Sequence, residues 1–594
     1  MRASGLHGLQ SGLTQEAPIP LLAVQINVSL VEAVVEVEVV QDYVNREEEA
    51  LEVVYFFPVE ESAAVTGFKA EVDGRMVEGE VREVETAVRE YKEAVDSGRV
   101  AGLLTEVKPD VLHLRLGRLG PGGGCRVRLT YLMEAAAEEG TTRVTLPTTL
   151  FPRYCPDSHK SFVAKQLGEI QYSAAAAINT ISHPPPLFSM QVKVSMSRPI
   201  QAVTSPTHTL VQSGDQRKLL TMKKQMYELH HYLVEVEADT MDRDVVVLVE
   251  TEASHMAKLV VEESPDGSSA ALVTLIPCLE SLTRQTVEVV FLMDCSGSMQ
   301  GQSITLAREA LILFLHSLPS DSTFNIVRFG SSMEKLFPES QPYSDRTLAS
   351  ALLLAENLKA DLGGTEILDP LNQLLIQGRA DSIVRQIFVL TDGAVSNSME
   401  CIRAVGKLCK ASRVFTVGVG PSVDRHLVKG IARAGGGSAV FTSSRGEEMA
   451  SKVLEQLRQA LAPAFHLEDV DWEVEGSSDN YIGPKTPRAV HPGARVSLFR
   501  LFTEGTQVRK VTLTASNCQK MVIEGSHKVE GEMVHKMLAR KMIQELEEED
   551  AGKEELIKEV ALKYKLTSRF TSFVAVDPVR QQDLGTMTVR QVGK

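Results

Sequence analysis

Residues 287–298 read VEVVFLMDCSGS, and this stretch decides the fold of the middle of the chain. Val287 to Met293 is apolar apart from Glu288, the pattern of a strand buried on both faces. The run stops at Asp294 and passes into Cys295-Ser296-Gly297-Ser298, a loop composition. Ile304–Leu318 follows as a helix, with Leu306, Ala310, Leu313 and Phe314 on one face. The alternation then continues. Phe324–Phe329 reads as a strand, Arg346–Leu358 and Leu368–Leu375 as helices, and Val384–Leu390 as a buried strand. Ser398–Cys409 reads as a helix, Val414–Val419 as a strand, His426–Arg433 as a helix, Ala439–Phe441 as a short strand and Glu447–Ala460 as a helix. Strands this apolar, alternating with helices, predict a parallel sheet covered on both faces, a doubly wound α/β domain over 285–462.

Before this domain the pattern is β. Val31–Val40 alternates Val with Glu, Leu51–Phe57 ends at Pro58, and Phe68–Val72 and Met76–Glu80 flank the turn Asp73-Gly74-Arg75. Val84, Val88, Tyr91 and Val95 fall at helical spacing and Gly98 stops that helix. Strands resume at Val111–Leu116 and Arg126–Leu132, so the N-terminal unit is β-sandwich-like with one helix. Between 141 and 284 strand-like runs at Arg143–Leu146, Met190–Ser195, Tyr232–Val236 and Val245–Glu250 surround a Pro-rich loop, Ile181–Ser189; a second β unit and an extension of the first remain equally open. After the α/β domain come strands Val470–Val474, Arg495–Thr503 and Val508–Thr514, then one charged helix over Glu532–Lys565. The acidic run Glu545–Asp550 reads as a solvated face or loop.

The 594 residues imply two to four domains, and 43% hydrophobic with 24% charged residues excludes a wholly disordered or fibrous chain. A net charge of −16 disfavours nucleic acid as a partner and favours cations or basic patches. Seven cysteines with no CxxC pair suggest free thiols in a reducing compartment. No apolar run is long enough for a transmembrane helix and the first residues lack a secretory pattern, so an intracellular, cytoplasmic protein is expected.

The chemistry concentrates at Asp294, Ser296 and Ser298, where a strand ends. Ligands of open α/β sheets bind there. Gly363-Gly364-Thr365 and Thr391-Asp392-Gly393 stand on loops that can converge on the same edge. Two carboxylates and three hydroxyls, with Thr391 left aside, form an oxygen-only set suited to Mg²⁺ or Mn²⁺. Such an ion keeps the electrophilicity to take a partner's Glu or Asp oxygen, which makes a docking point and not a hydrolytic centre. The plainer alternative is that Asp294 and Asp392 only cap turns.

Asp-x-Ser-x-Ser with a later Thr and a later Asp-Gly resembles the metal-ion-dependent adhesion site (MIDAS) of von Willebrand factor A domains. The N-terminal unit, with Tyr91-x-x-Ala94-x-x-x-Gly98-x-x-Ala101-x-Leu103-Leu104, is similar to the VIT (vault protein inter-alpha-trypsin) domain. The runs 360–368 (ADLGGTEIL), 429–434 (KGIARA) and 570–576 (FTSFVAV) look like the von Willebrand factor A domain-containing protein 5 group, related to inter-alpha-trypsin inhibitor heavy chains. The resemblance implies a multidomain α+β chain: a VIT domain over 1–140, a β-rich extension over 141–284, the A domain over 285–462 and a C-terminal β region with a helix over 463–594. It implies metal ligation by Asp294, Ser296, Ser298, Thr365 and Asp392, and a protein-interaction or adhesion role. A structural scaffold with a vestigial metal is the competing expectation. Asp577-Pro578 is followed by Val579-Arg580, not by the His-Phe of the heavy-chain processing motif, so no hyaluronan-linking role is implied.

Enzyme signatures are missing from the sequence. The loop lacks the first Gly of a nucleophile elbow, and there is no Walker A and no His-Glu-x-x-His sequence. His230 and His231 fall on opposite faces of a strand, and Gly435-Gly436-Gly437 reads as a helix stop. The expectation is a non-enzymatic protein.

Overall fold

In the computed structural model the described residues are 21–138, 140–147, 187–212, 230–237, 243–252, 257–276, 287–376, 384–393, 395, 397–409, 412–420, 423–442, 447–462, 465–475, 483–484, 489–490, 495–515, 520–525, 527–548, 552–577 and 588–591. The fold is multidomain α+β, with a mostly parallel α/β sheet in the middle and β-rich sheets elsewhere.

The N-terminal unit consists of two facing sheets with one core. The eight-stranded sheet runs 209–212, 230–237, 187–196, 21–31, 34–44, 124–134, 64–72, 75–78. The six-stranded sheet runs 588–591, 51–58, 111–119, 101–108, 571–576, 80–83. Alternation of Val with Glu in Val34–Val44 sends Val35, Val37 and Val39 into the core. The sheets approach closely at Gly102, where a Cβ would stand 2.7 Å from the Phe68 ring. Met76–Glu80 is not one strand: Arg75–Glu78 pairs in the first sheet, and after Gly79 Glu80–Glu83 joins the second. A helix over Val84–Asp96 covers the six-stranded sheet with Ala87, Tyr91 and Ala94.

The 141–284 segment joins both neighbours. Leu187–Met196 lies parallel to Leu21–Val31 and extends the eight-stranded sheet. Leu187–Ser189 is therefore strand and not loop; the rest of the expected Pro-rich loop, 181–186, lies outside the described residues. Lys258–Glu263 and Ser269–Leu275 pair instead with chain from beyond the A domain, His527–Glu530 and Val496–Phe502. With the sheet around Phe465–Glu475 and Gln507–Ala515 they enclose a second β core that includes Leu272's neighbours Ala271 and Val273, and Val511. The A domain is thus an insertion between two paired strands of this sandwich.

In the A domain the sheet order is 333–335, 323–329, 287–294, 384–391, 412–419, 436–442. All pairs from Thr323–Phe329 to Gly436–Thr442 are parallel. Helices Gln302–Ser317, Asp345–Glu356 and Glu447–Leu461 pack on one face, and Leu368–Ile376, Ser398–Leu408 and Arg425–Ala434 on the other. Phe291, Phe314, Phe388 and Phe415 meet on the first face, with the Phe314 and Phe388 rings 4.7 Å apart. Gly435 ends a helix as expected, but Gly436 and Gly437 already belong to the next strand.

The C-terminal helix is two helices, Met533–Glu548 and Glu554–Tyr564. Each buries its own stripe, and Leu538, Ile543, Ile557 and Val560 share one core with Val34, Leu132 and Leu272. The acidic run is not all solvated. Glu547 is buried and Glu548 pairs with Arg433; residues 549–550 lie outside the described residues.

Candidate metal centre

The strand Val287–Asp294 is central, and its last residue emerges where two flanking parallel strands also end. Register sets Met293 beside Leu390, so the next residues, Asp294 and Thr391, are neighbours across the strands. On the other side Asp294 stands opposite Phe329, and the Cys295 N–H donates to the Phe329 carbonyl at 2.8 Å. Asp294 is fully buried. One carboxylate oxygen accepts the Ser296 N–H at 2.9 Å, and the other accepts the Thr391 hydroxyl at 2.6 Å. The Ser296 and Ser298 hydroxyls are 3.0 Å apart, and the Ser298 hydroxyl donates to Asp392 Oδ1 at 3.0 Å. Four of the five expected residues thus form one hydrogen-bonded group.

Thr365 is brought near by its loop. The Leu362 N–H donates to the Cys295 carbonyl at 3.0 Å, and the Gly297 N–H to the Gly363 carbonyl at 2.7 Å. The Gly364 N–H donates to the Ser331 hydroxyl at 2.7 Å and the Glu366 N–H to the Gly330 carbonyl at 3.1 Å. The loop is therefore zipped to the Asp294–Ser298 loop by backbone, while the bonds that link Asp294, Ser296, Ser298 and Asp392 run through their side chains and the Ser296 amide.

Thr391, set aside in the sequence reading, is the residue that ties the two carboxylate loops. It donates to Asp294 and accepts the Gly393 N–H at 2.8 Å. The available signal was its place at the end of a buried strand parallel to the one that ends at Asp294. Gly393 has φ 74°, and a Cβ there would stand 3.1 Å from Asp424 Cβ, so the turn after Asp392 requires glycine.

Burial raises the pKa of the Asp294 carboxyl, and the charge of Asp392 adds to the rise. The opposing influences are the hydroxyls of Ser296 and Thr391 and the Ser296 amide, none of them cationic. Two neighbouring acids with hydroxyl partners, and no nitrogen or sulfur donor, fit a hard divalent cation. Among the described residues no group of three or more His, Cys, Asp or Glu suits a metal, so this mixed oxygen set is the candidate. Cys295 is buried, and burial raises its thiol pKa, which leaves it unreactive. His230 and His231 sit on an exposed stretch of strand, where His231 Nδ1 lies 2.9 Å from the Ser195 hydroxyl.

The vault protein inter-alpha-trypsin domain family matches residues 21–131, and the von Willebrand factor type A domain family matches 287–441. Von Willebrand factor A domain-containing protein 5A of Rattus norvegicus is 32% identical over 94% of this chain and 70% of its own length. The chain belongs to the von Willebrand factor A domain-containing protein 5A family. The Mus musculus protein of that name is 31% identical over 94% of this chain and 73% of its own. Protein mono-ADP-ribosyltransferase PARP4 of Mus musculus is 25% identical over 94% of this chain but only 28% of its own length. Among solved structures, a von Willebrand factor type A protein from Catenulispora acidiphila is 16% identical, covering 52% of this chain and 86% of that one with a TM-score of 0.35. Von Willebrand factor A domains generally act as protein-interaction modules and often bind divalent cations. No helix among the described residues is long and apolar enough to cross a membrane.

Proposed function

We propose that this family member is a non-enzymatic protein-interaction module. It docks an exposed Glu or Asp of a protein partner through Mg²⁺ or Mn²⁺ held by Asp294, Ser296, Ser298, Thr365 and Asp392. The observation that carries this reading is the Asp294–Ser296–Ser298–Asp392 group, closed by Thr391, in which a buried carboxylate has only hydroxyl and amide partners. The cation would add positive charge beside Asp294 and an open coordination position for a carboxylate oxygen. The oxygen donors Asp294, Ser296, Ser298, Thr365 and Asp392 include no histidine base, which supports a docking role over catalysis. The free thiols of Cys125, Cys295 and Cys401 fit an intracellular, reducing compartment.

The scaffold reading draws on a different observation. The A domain is clamped between the VIT unit and the Met533–Glu548 helix by Glu61, Arg433 and Glu548. Isothermal titration of Mg²⁺ and Mn²⁺ into metal-free protein separates the two. Docking predicts saturable one-site binding lost in Asp294→Ala and Thr365→Ala, and partner capture abolished by EDTA. Partner capture that survives both EDTA and Asp294→Ala favours the scaffold.

A further inference from the structure

The junction between the VIT unit and the A domain is built from charge. Glu61, in the turn after the strand Leu51–Pro58, is buried. Its Oε1 lies 3.0 Å from His426 Nδ1 and 3.1 Å from both terminal nitrogens of Arg433. Glu60 beside it pairs with Lys429. His426, Lys429 and Arg433 share one face of the helix Arg425–Ala434. From the third side the helix Met533–Glu548 contributes Arg540, which donates to the Glu61 carbonyl at 3.1 Å and to Glu106 at 3.2 Å. Glu548 pairs with Arg433, and Arg403 donates to the Glu547 carbonyl at 3.0 Å. Asp110, Asp424 and Arg569 complete the charged groups that act here.

The clamped helix starts at the metal-site loop. Asp424 caps it, accepting the Leu427 N–H at 3.1 Å, and the Asp424 N–H donates to the Asp392 carbonyl at 2.9 Å. Gly393, at φ 74°, packs closely on the same Asp424. One helix therefore has its first turn against the loop of a candidate ligand and its outer face held by the VIT unit. Glu61 Oε2, Glu106 Oε1, Arg540 Nε and Arg403 Nε are buried at the junction without a hydrogen-bond partner among the described residues.

We propose that the VIT unit regulates the metal site through this helix: seating of Glu61 on His426 and Arg433 fixes the Asp392 loop, and unseating it loosens the loop. This rests on the docking reading for its consequence, but the mechanical link stands independently of it. By linkage the effect is reciprocal, so a cation at the site strengthens the junction.

The test uses the full chain, with Glu61→Gln and the milder Lys429→Gln, hydrogen–deuterium exchange and Mn²⁺ titration. Faster exchange is expected in 425–434 and at the Asp392 and Gly393 amides, greater for Glu61→Gln. Mn²⁺ binding should weaken by about fivefold or more in Glu61→Gln, and Mn²⁺ should slow junction exchange in the unmodified chain. Should Glu61→Gln fail to fold, Lys429→Gln carries the same comparison at smaller amplitude. Exchange that rises in 425–434 but not at Asp392 and Gly393, with Mn²⁺ affinity unchanged, overturns the link. So does an unaltered 425–434. If the unmodified chain binds no Mn²⁺ while exchange still spreads to Asp392, the link holds and the docking reading falls.

Discussion

At the junction, Glu61 lies against Arg433 and His426, and Glu106 against Arg540; at the strand ends, Asp294 lies against Thr391, Ser296 and the neighbouring Asp392. Both regions bury carboxylates, but their charge balance differs. Burial pushes the Glu61 pKa up, yet the hydrogen bond from His426 and the charge of Arg433 outweigh it and hold that carboxyl at about 2. Burial raises the pKa of Asp294, and its neutral hydroxyl and amide partners do not reverse the rise. Guanidinium groups close the balance at the junction from within the chain. At the strand ends the hydrogen-bond partners of Asp294 are hydroxyls and an amide, and under the docking proposal the balancing charge comes from the cation.

The comparison is broken most severely by taking the cation from the balanced side. Arg540→Met leaves Glu106 and Glu547 buried together and should cost about 3–5 kcal/mol, read from the denaturant midpoint of the first unfolding transition. The same logic reversed predicts the second effect. Asp294→Asn should leave the metal-free chain as stable as before or more so, because it removes a buried charge with no cationic partner among the described residues. The unmodified chain should gain about 2.7 kcal/mol at Mn²⁺ a hundredfold above its Kd, and the variant should gain nothing in the same thermal scans.

Thr391→Val sharpens the strand-end side. It deletes the hydroxyl that holds both carboxylate loops, keeps the volume, and should weaken Mn²⁺ binding about tenfold in calorimetry with little change in fold. The pH dependence sharpens the other side. Burial lowers the His426 pKa, but the hydrogen bond and charge of Glu61 outweigh it and the pKa is raised. That stabilisation is complete below the ordinary histidine value and lost as pH rises through the raised one. Burial and the charge of Glu106 raise the Glu547 pKa to about 7, so ionising it also costs stability as pH rises from 4.5 through 7. Both groups weaken the junction in the same direction. Thermal midpoints should fall with rising pH across this window, and Glu547→Gln should reduce the fall by about 2–4 °C.

The A domain was legible because it is local. Its strands and helices alternate within one continuous stretch from Val287 to Leu461, and the apolar runs are long enough to mark both faces as covered. Of the site, the strand-end acids and serines could be read from spacing. For Thr391 the sequence offered only its place at the end of a buried strand, and its bond to Asp294 depends on the register between two strands. The acidic run at 545 misled because composition reports the mean environment of such residues, whereas Glu547 is buried beside Arg540 and Arg569 and Glu548 meets Arg433 far away in sequence.

The sequence by itself determined an α/β middle with the segments carrying Asp294, Ser296, Ser298, Thr365 and Asp392 at strand and loop ends, and β-rich flanks on both sides. Tertiary structure decided how the flanks close. Thr571–Val576 pairs with Ala101–Lys108 inside the VIT sheet, and Val496–Phe502 with Ser269–Leu275 across the inserted A domain. The physical reason is that a strand's alternation specifies which face is buried but not which backbone edge completes its hydrogen bonds. That choice is made by the chain as a whole, and here it joins the two ends of the molecule and sets Glu61 on the helix that leads to Asp392.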